Sequence, residues 1–139
     1  MLACLARAYA RDPLWASEAA MALGVFPFGV AALALSDSLV RWLALGVFVN
    51  GTVCHLAIAT RRSFAAAARI WDVACNAAMV ALVNCATQHQ PATLAFSALA
   101  MAAFYENRHE KCLYTKAIVH VVCVQWTLLL PLLRFGLVE

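Results

Sequence analysis

Residues 39–60 read LVRWLALGVFVNGTVCHLAIAT, and Arg61 and Arg62 follow directly. The stretch holds one permanently charged side chain, Arg41, close to its start. As an α-helix it would be about 33 Å long, at about 1.5 Å per residue. The hydrocarbon core of a bilayer is about 30 Å thick, so this stretch has the length and composition of a membrane-spanning helix.

Further apolar stretches lie at 14–35, 70–86, 92–105 and 112–133, separated by short polar connections. If the first of these helices bends, Pro27 is the expected place. The stretch 92–105 is short for a span, and it is rich in Ala, which suits helix packing better than lipid contact. The pattern predicts an all-α transmembrane bundle with five spans, forming one domain over residues 14–133.

Overall composition supports a membrane environment. Hydrophobic residues make up 65% of the 139 residues and charged residues 12%, against roughly 45–50% and 25% in soluble domains. A soluble chain of this length could not hide so much apolar surface. The net charge of +3 is modest and not clustered as a nucleic-acid footprint would be, which argues against a nucleic-acid partner.

The basic residues predict the orientation, because Lys and Arg accumulate on the cytoplasmic side of a membrane. With five spans and a cytoplasmic N-terminus, one side holds Arg7, Arg11, Arg61, Arg62, Arg69, Arg108, Lys111 and Lys116, and the other holds only Arg41 and Arg134. The C-terminal tail, residues 134–139, is then outside. Residues 1–13 form an amphipathic segment, with Leu2, Leu5 and Tyr9 opposite Arg7 and Arg11.

Four of the predicted spans carry an ionisable side chain at a similar depth from the cytoplasmic boundary. These side chains are Glu18, His55, Asp72 and His120, each about one to one and a half turns inside. Ionisable groups within a bilayer are costly and commonly functional. Imidazoles and a carboxylate are ligands that Zn²⁺ accepts, so the pattern predicts either a metal or proton-handling site, or polar residues that fix helix packing by hydrogen bonds.

Neighbouring polar residues have simpler interpretations. Asn76 lies one turn beyond Asp72 and could orient it, whereas Arg69 is spaced to form a plain surface pair with Asp72. Asn50, Asn84 and Gln125 are expected to make hydrogen bonds between helices.

The stretches GTVCHLAIATRRSFAAAARIWD (51–72) and KAIVHVVCV (116–124) resemble the superfamily of alkaline ceramidases, progestin and adipoQ receptors and haemolysin III-like proteins. That family carries Ser-x-x-x-His in its second span, a basic loop, an Asp opening the third span and His-x-x-x-His in the last. The resemblance implies a zinc held by imidazoles, here His55 and His120, with Asp72 assisting.

Two positions depart from the family pattern: Gly51 replaces the Ser, and Lys116 replaces the first His of the last pair. A cation at Lys116 would repel Zn²⁺. Either Glu18 replaces the missing ligand while Lys116 extends to the interface, or Lys116 pairs with Asp72 or Glu18 in an ion-paired structural core.

Three functions are compatible with these patterns. The first is a non-catalytic membrane scaffold or subunit, with lipid and other membrane subunits as partners. The second is a zinc-dependent intramembrane lipid hydrolase acting on an amide or ester, with Asp72 catalytic and His55, His120 and Glu18 as metal ligands. The third is a proton-coupled transporter or channel. A haem held between His55 and His120 is a further alternative.

Overall fold

The computed structural model describes residues 10–35, 38–87 and 90–136. In these residues the fold is entirely helical, with no strand. The helices are α1 (Pro13–Gly24), α2 (Phe26–Ala34), α3 (Ser38–Ala59), α4 (Ala65–Ala86), α5 (Pro91–His109), α6 (Leu113–Val119), a π-helical segment (His120–Gln125) and α7 (Trp126–Gly136). Most of the predicted amphipathic segment 1–13, and residues 137–139 of the predicted tail, lie outside the described residues.

Four helical stretches are long and apolar enough to cross a membrane. They are Pro13–Ala34, Leu39–Ala59, Ala65–Ala86 and Leu113–Arg134. The chain therefore has the architecture of a small integral membrane protein. α5 is not among the four. It has 19 residues, and its last four are the polar sequence ENRH.

The first stretch is divided into two helices at Val25. The Asp12 carboxylate accepts a hydrogen bond from the Trp15 backbone N–H at 3.1 Å and caps the start of α1. Pro27 has no N–H to donate to the carbonyl of Leu23. The Val25 N–H donates to that carbonyl instead. The break therefore lies two residues before Pro27, and it leaves α1 and α2 as separate helices.

Helix α3 is central in the bundle, because it packs against α1, α2 and α4. α5 packs on the π-helical segment and on α7. The hydrophobic core of the bundle includes Phe28, Val40, Ala44 and Leu132, which are all fully buried. This arrangement brings the C-terminal part of α3 close to the start of the π-helical segment.

Helices α4 and α5 are consecutive in the chain but make little contact with one another. Close to their connection, the Asn84 Nδ2 donates a hydrogen bond to the Ser97 Oγ at 2.9 Å. Away from it they are separated by a cavity of about 520 Å³ that both helices line. Met101 and Tyr105 of α5 line this cavity and are also 63% and 61% exposed. The cavity therefore opens sideways, on the apolar surface of the bundle.

Candidate functional site

Glu18 of α1 and His55 of α3 form a buried pair. Their residues are 5% and 6% exposed, and the His55 Nδ1 lies 2.8 Å from the Glu18 Oε2. With the carboxylate as acceptor, the Nδ1–H is the donor, and the tautomer and ring orientation of His55 are set. The His55 Nε2 is then left for a second partner. A carboxylate that orients a histidine in this way is common behind metal-binding imidazoles.

His120 lies beside this pair. Its ring centroid is 5.2 Å from that of His55, and the two rings meet edge to face at 80°. His120 is the first residue of the π-helical segment, and it lines the same cavity as His55. The structure therefore brings both imidazoles predicted as metal ligands to one end of the cavity.

Asp72 of α4 also lines this cavity. The residue is 8% exposed, and its Oδ1 has no hydrogen-bond partner. Asn76, one turn further along α4, lines the same cavity and also has an Oδ1 without a partner. Buried polar atoms are normally hydrogen-bonded. Both oxygens are shielded from the cavity by neighbouring atoms, and each would have to turn to meet a donor there. The ion pairs of the described residues do not include one between Arg69 and Asp72.

Lys116 lies one turn before His120 and is half-buried. In the part of the chain that the structure describes, it forms no ion pair with Glu18 or Asp72. The ion-paired core that the Lys116 substitution suggested is therefore not the arrangement seen here. The Glu18 carboxylate is bound to His55 instead.

Apolar side chains form most of the cavity wall. Besides the polar groups at one end, it is lined by Val25, Phe28, Val47, Val73, Ala77, Val80, Ala81, Ala100, Met101, Phe104, Val124 and Leu128. A volume of about 520 Å³ lies within the range of small-molecule sites, roughly 300–1,000 Å³. The space is thus amphiphilic: a polar end near the His55–His120 pair and a longer apolar body.

The donor set is chemically suitable for zinc, which takes imidazole nitrogen and carboxylate oxygen. His55, with its Nε2 uncommitted, His120 and Asp72 all line one cavity. Among the described residues, however, no three His, Cys, Asp or Glu side chains are close enough to hold a metal ion as they stand. Metal binding would require these side chains to move toward each other.

Gly51, at the position of the family serine, packs against α1–α2. A Cβ built on Gly51 would lie 2.8 Å from the Val25 Cγ1. Atoms that are not bonded rarely come this close, so Val25 fills the space that a serine side chain would need.

Two residues of the site were not expected from the sequence. Gln125 lines the cavity, and its unpartnered Oε1 is packed against Gly24 of α1. Gln125 follows His120 by five residues, a spacing that does not predict a shared face. In a regular α-helix that spacing separates two side chains, and only the π-helical segment places both at the cavity.

No family profile matches this chain, and the searches of curated proteins and of solved structures found no similar protein.

Proposed function

We propose that this integral membrane protein takes a lipid-like amphiphile from the bilayer into its cavity, with the polar head group against Glu18, His55, Asp72 and His120. One observation carries the proposal: the cavity is apolar along its length, polar at one end, and open sideways between α4 and α5. A ligand that lives in the bilayer can enter by that opening without leaving an apolar environment. Asp72 and Asn76 line the same end, and their side chains would accept hydrogen bonds from N–H or O–H donors of a head group after a change of rotamer.

The chemistry that this site fits best is hydrolysis of a lipid amide or ester, as the resemblance to the ceramidase superfamily suggests. His55 and His120 would hold a zinc ion, which makes bound water nucleophilic at neutral pH. Glu18 holds His55 in the tautomer that leaves its Nε2 free. The Asp72 carboxylate, which lines the same cavity, would accept a proton from the nucleophile or orient it.

A non-catalytic scaffold or subunit is the second candidate. It is favoured by the lack, among the described side chains, of three metal donors already in place. In that case the Glu18–His55 pair fixes helix packing, and the cavity holds a structural lipid or another membrane subunit.

Metal content and hydrolysis distinguish the two candidates. Purified protein is expected to carry one zinc per chain and to release fatty acid from an N-acyl or O-acyl lipid in detergent. His55→Ala and His120→Ala should each lose the metal, because each removes one of two imidazoles. His109→Ala is the matched control, since His109 is exposed, does not line the cavity, and packs its ring on Tyr105 rather than on His55 or His120. A metal-free protein that still copurifies with lipid would support the scaffold. A protein that binds neither would contradict the proposal.

The proposed topology has five spans, with the N-terminus in the cytoplasm, the C-terminus outside and α5 as the fourth span. Packing of α5 against the π-helical segment and α7 would compensate for its lower hydropathy. The eight basic residues on one side support this orientation.

Cys112, before α6, provides a native probe of this topology. It is exposed, and a hydrogen bond with the Thr115 side chain lowers the pKa of its thiol, which favours the reactive thiolate at neutral pH. In chains otherwise free of cysteine, a membrane-impermeant maleimide should label Gln90→Cys in intact cells. It should label Cys112 only after permeabilisation. Labelling of both positions from the outside would refute a cytoplasmic location for the α5–α6 connection.

A further inference from the structure

Two basic side chains lie beside the polar end of the cavity, just outside its wall. Arg69 of α4 precedes Asp72 by three residues, and Lys116 of α6 precedes His120 by four. Because Asp72 and His120 line the cavity, each basic residue lies about one helical turn beyond its polar end. Arg69 is exposed and Lys116 is half-buried, so both are open to a ligand at this end.

The charges of both basic side chains act on the polar residues of the cavity. Arg69 is close enough to Asp72, Cys54 and His120 for its charge to act on all three. The charge of Lys116 also acts on His120. Since Cys54 and His120 belong to other helices, Arg69 is near the end of the cavity itself and not only on the outer face of α4.

Neither of these two basic side chains has a counter-ion among the described residues. The ion pairs there are those of Glu18 with His55 and of Arg61 with Asp12. The Asp72 carboxylate takes part in neither. Guanidinium groups match the geometry of phosphate oxygens, and ammonium groups are common phosphate partners. Two unpaired cations at one end of a lipid cavity therefore favour an anionic head group there.

The carboxylates of the site determine where that anion would lie. A phosphate beside Asp72 would be repelled, whereas a phosphate beside Arg69 and Lys116 lies about one turn away. Along the helix axes this distance is about 4.5–6 Å, at about 1.5 Å per residue. In an acylated glycerol phosphate, about five to six bonds separate the phosphorus from the ester carbonyl carbon, or about 6–7 Å at about 1.2 Å per bond of an extended chain. The two spacings are similar.

We propose that the bound lipid carries a phosphate group, which Arg69 and Lys116 bind at the end of the cavity, with its acyl ester beside Asp72 and His120. This inference rests on the proposed lipid binding. It narrows the ligand class from amphiphiles in general to acylated lipids with a phosphate in the head group. A neutral head group would leave both cations without an anion, so the phosphate is the group that selects the ligand.

Two probes test this preference: a monoacylglycerol, and the same molecule with a phosphate group on its free end carbon. Dissociation constants are measured for both with the full chain in a maltoside detergent, which contains no phosphate. The wild-type protein is expected to bind the phosphate-bearing probe roughly five- to twentyfold more tightly, since each partly exposed charge contact contributes up to about fivefold. In the double variant Arg69→Gln, Lys116→Gln the two probes should bind equally. Unchanged binding of the neutral probe shows that this variant is folded.

Arg62→Gln combined with Lys111→Gln is the matched control, because it removes one Arg and one Lys from the same end of the bundle. Both residues are exposed and do not line the cavity, and their charges are not among those that act on His120. This variant should keep the preference for phosphate. Arg69→Lys combined with Lys116→Arg retains both charges and should keep it too, which gives a second test if the glutamine variant does not fold.

Inorganic phosphate separates a lipid head group from a free anion. Alone, it should bind at least about tenfold more weakly than the phosphate-bearing probe, because it lacks the apolar chain. Equal affinity would assign the two cations to a small anion and overturn the lipid assignment. Equal binding of the two acylglycerols by the wild type would overturn this inference and leave the proposed lipid binding intact. Failure of both to bind would instead overturn the proposed function. A preference that survives in Arg69→Gln, Lys116→Gln would overturn the role of these two residues.

Discussion

Replacement of Glu18 by alanine is expected to lower the free energy of unfolding in detergent by about 3–5 kcal/mol. Glu18 accepts the hydrogen bond of His55 at 2.8 Å, and both residues are more than nine-tenths buried. Without the carboxylate, the Nδ1–H of His55 stays buried with no partner. Removal of one member of a buried pair is costly for this reason, whereas the pair itself contributes less than its attraction suggests.

The second ion pair of the described residues provides the control. The Arg61 guanidinium lies 3.3 Å from the Asp12 carboxylate, with side chains 71% and 40% exposed. Exposed pairs contribute about 0–1 kcal/mol. Arg61 also has a φ of 52°, which glycine adopts without strain. Arg61→Gly should therefore change stability by less than about 1 kcal/mol, because the two effects offset each other.

A double variant separates the lost partner from lost packing. Glu18→Leu with His55→Phe replaces the pair by apolar side chains and should recover much of the stability lost in Glu18→Ala. Unfolding by denaturant or heat in one detergent gives all four values. If Glu18→Ala and Arg61→Gly have equally small effects, the two buried side chains do not form the pair described here.

The hydropathy of the sequence, and the depth of its ionisable residues within the predicted spans, were enough to predict much of this fold. The helical character of all five apolar stretches, a break in the first near Pro27, and the weakness of the fourth all follow from local composition and proline geometry. The meeting of His55 and His120 was also foreseeable. Ionisable side chains avoid lipid, so those at one depth in a small bundle are expected to face its interior and to meet there.

The expected interhelical hydrogen bonds of Asn50, Asn84 and Gln125 are also present. Asn50 accepts from the Trp71 Nε1 at 3.2 Å, Asn84 donates to Ser97, and Gln125 donates to the Met21 carbonyl. A polar side chain in an apolar helix has to find a partner on a neighbour, so its presence is predictable. Which neighbour it finds depends on helix rotation, and the sequence alone does not specify that.

The cavity, and the position of Gln125 in its wall, could not have been predicted. Both depend on how far α4 and α5 separate and on the π-helical segment, which shifts the side chains after His120 around the helix axis. A one-residue bulge of this kind leaves no clear pattern in hydrophobicity. The contact of Glu18 could not have been predicted for a similar reason: its depth placed it with the histidines, but the sequence does not specify its contact with the Nδ1 of His55.

Gly24→Ala is expected to destabilise the protein by about 1–3 kcal/mol, because the site has no room for a methyl group. A Cβ at Gly24 would overlap the Gln125 Oε1 and lie 2.7 Å from the Val121 Cγ2. The end of a glutamine side chain can often move away, but this one is held by its bond to Met21. Val121 is β-branched and restricted in its rotamers. The added methyl group must therefore displace Gln125 or Val121.

Gly46→Ala is the matched substitution for this test. Gly46 also lies in a helix, α3, and a Cβ there would meet nothing within 4 Å. Alanine in a helix interior is favoured over glycine by roughly 0.5–1 kcal/mol, so Gly46→Ala should stabilise the protein. Opposite signs for the two substitutions, measured in one detergent, are the expected result. Adding Val121→Ala to Gly24→Ala should restore part of the stability by opening space beside the new methyl group. Stabilisation by both glycine substitutions would mean that α1 and the π-helical segment do not approach each other closely, and that Gln125 is not held against Met21.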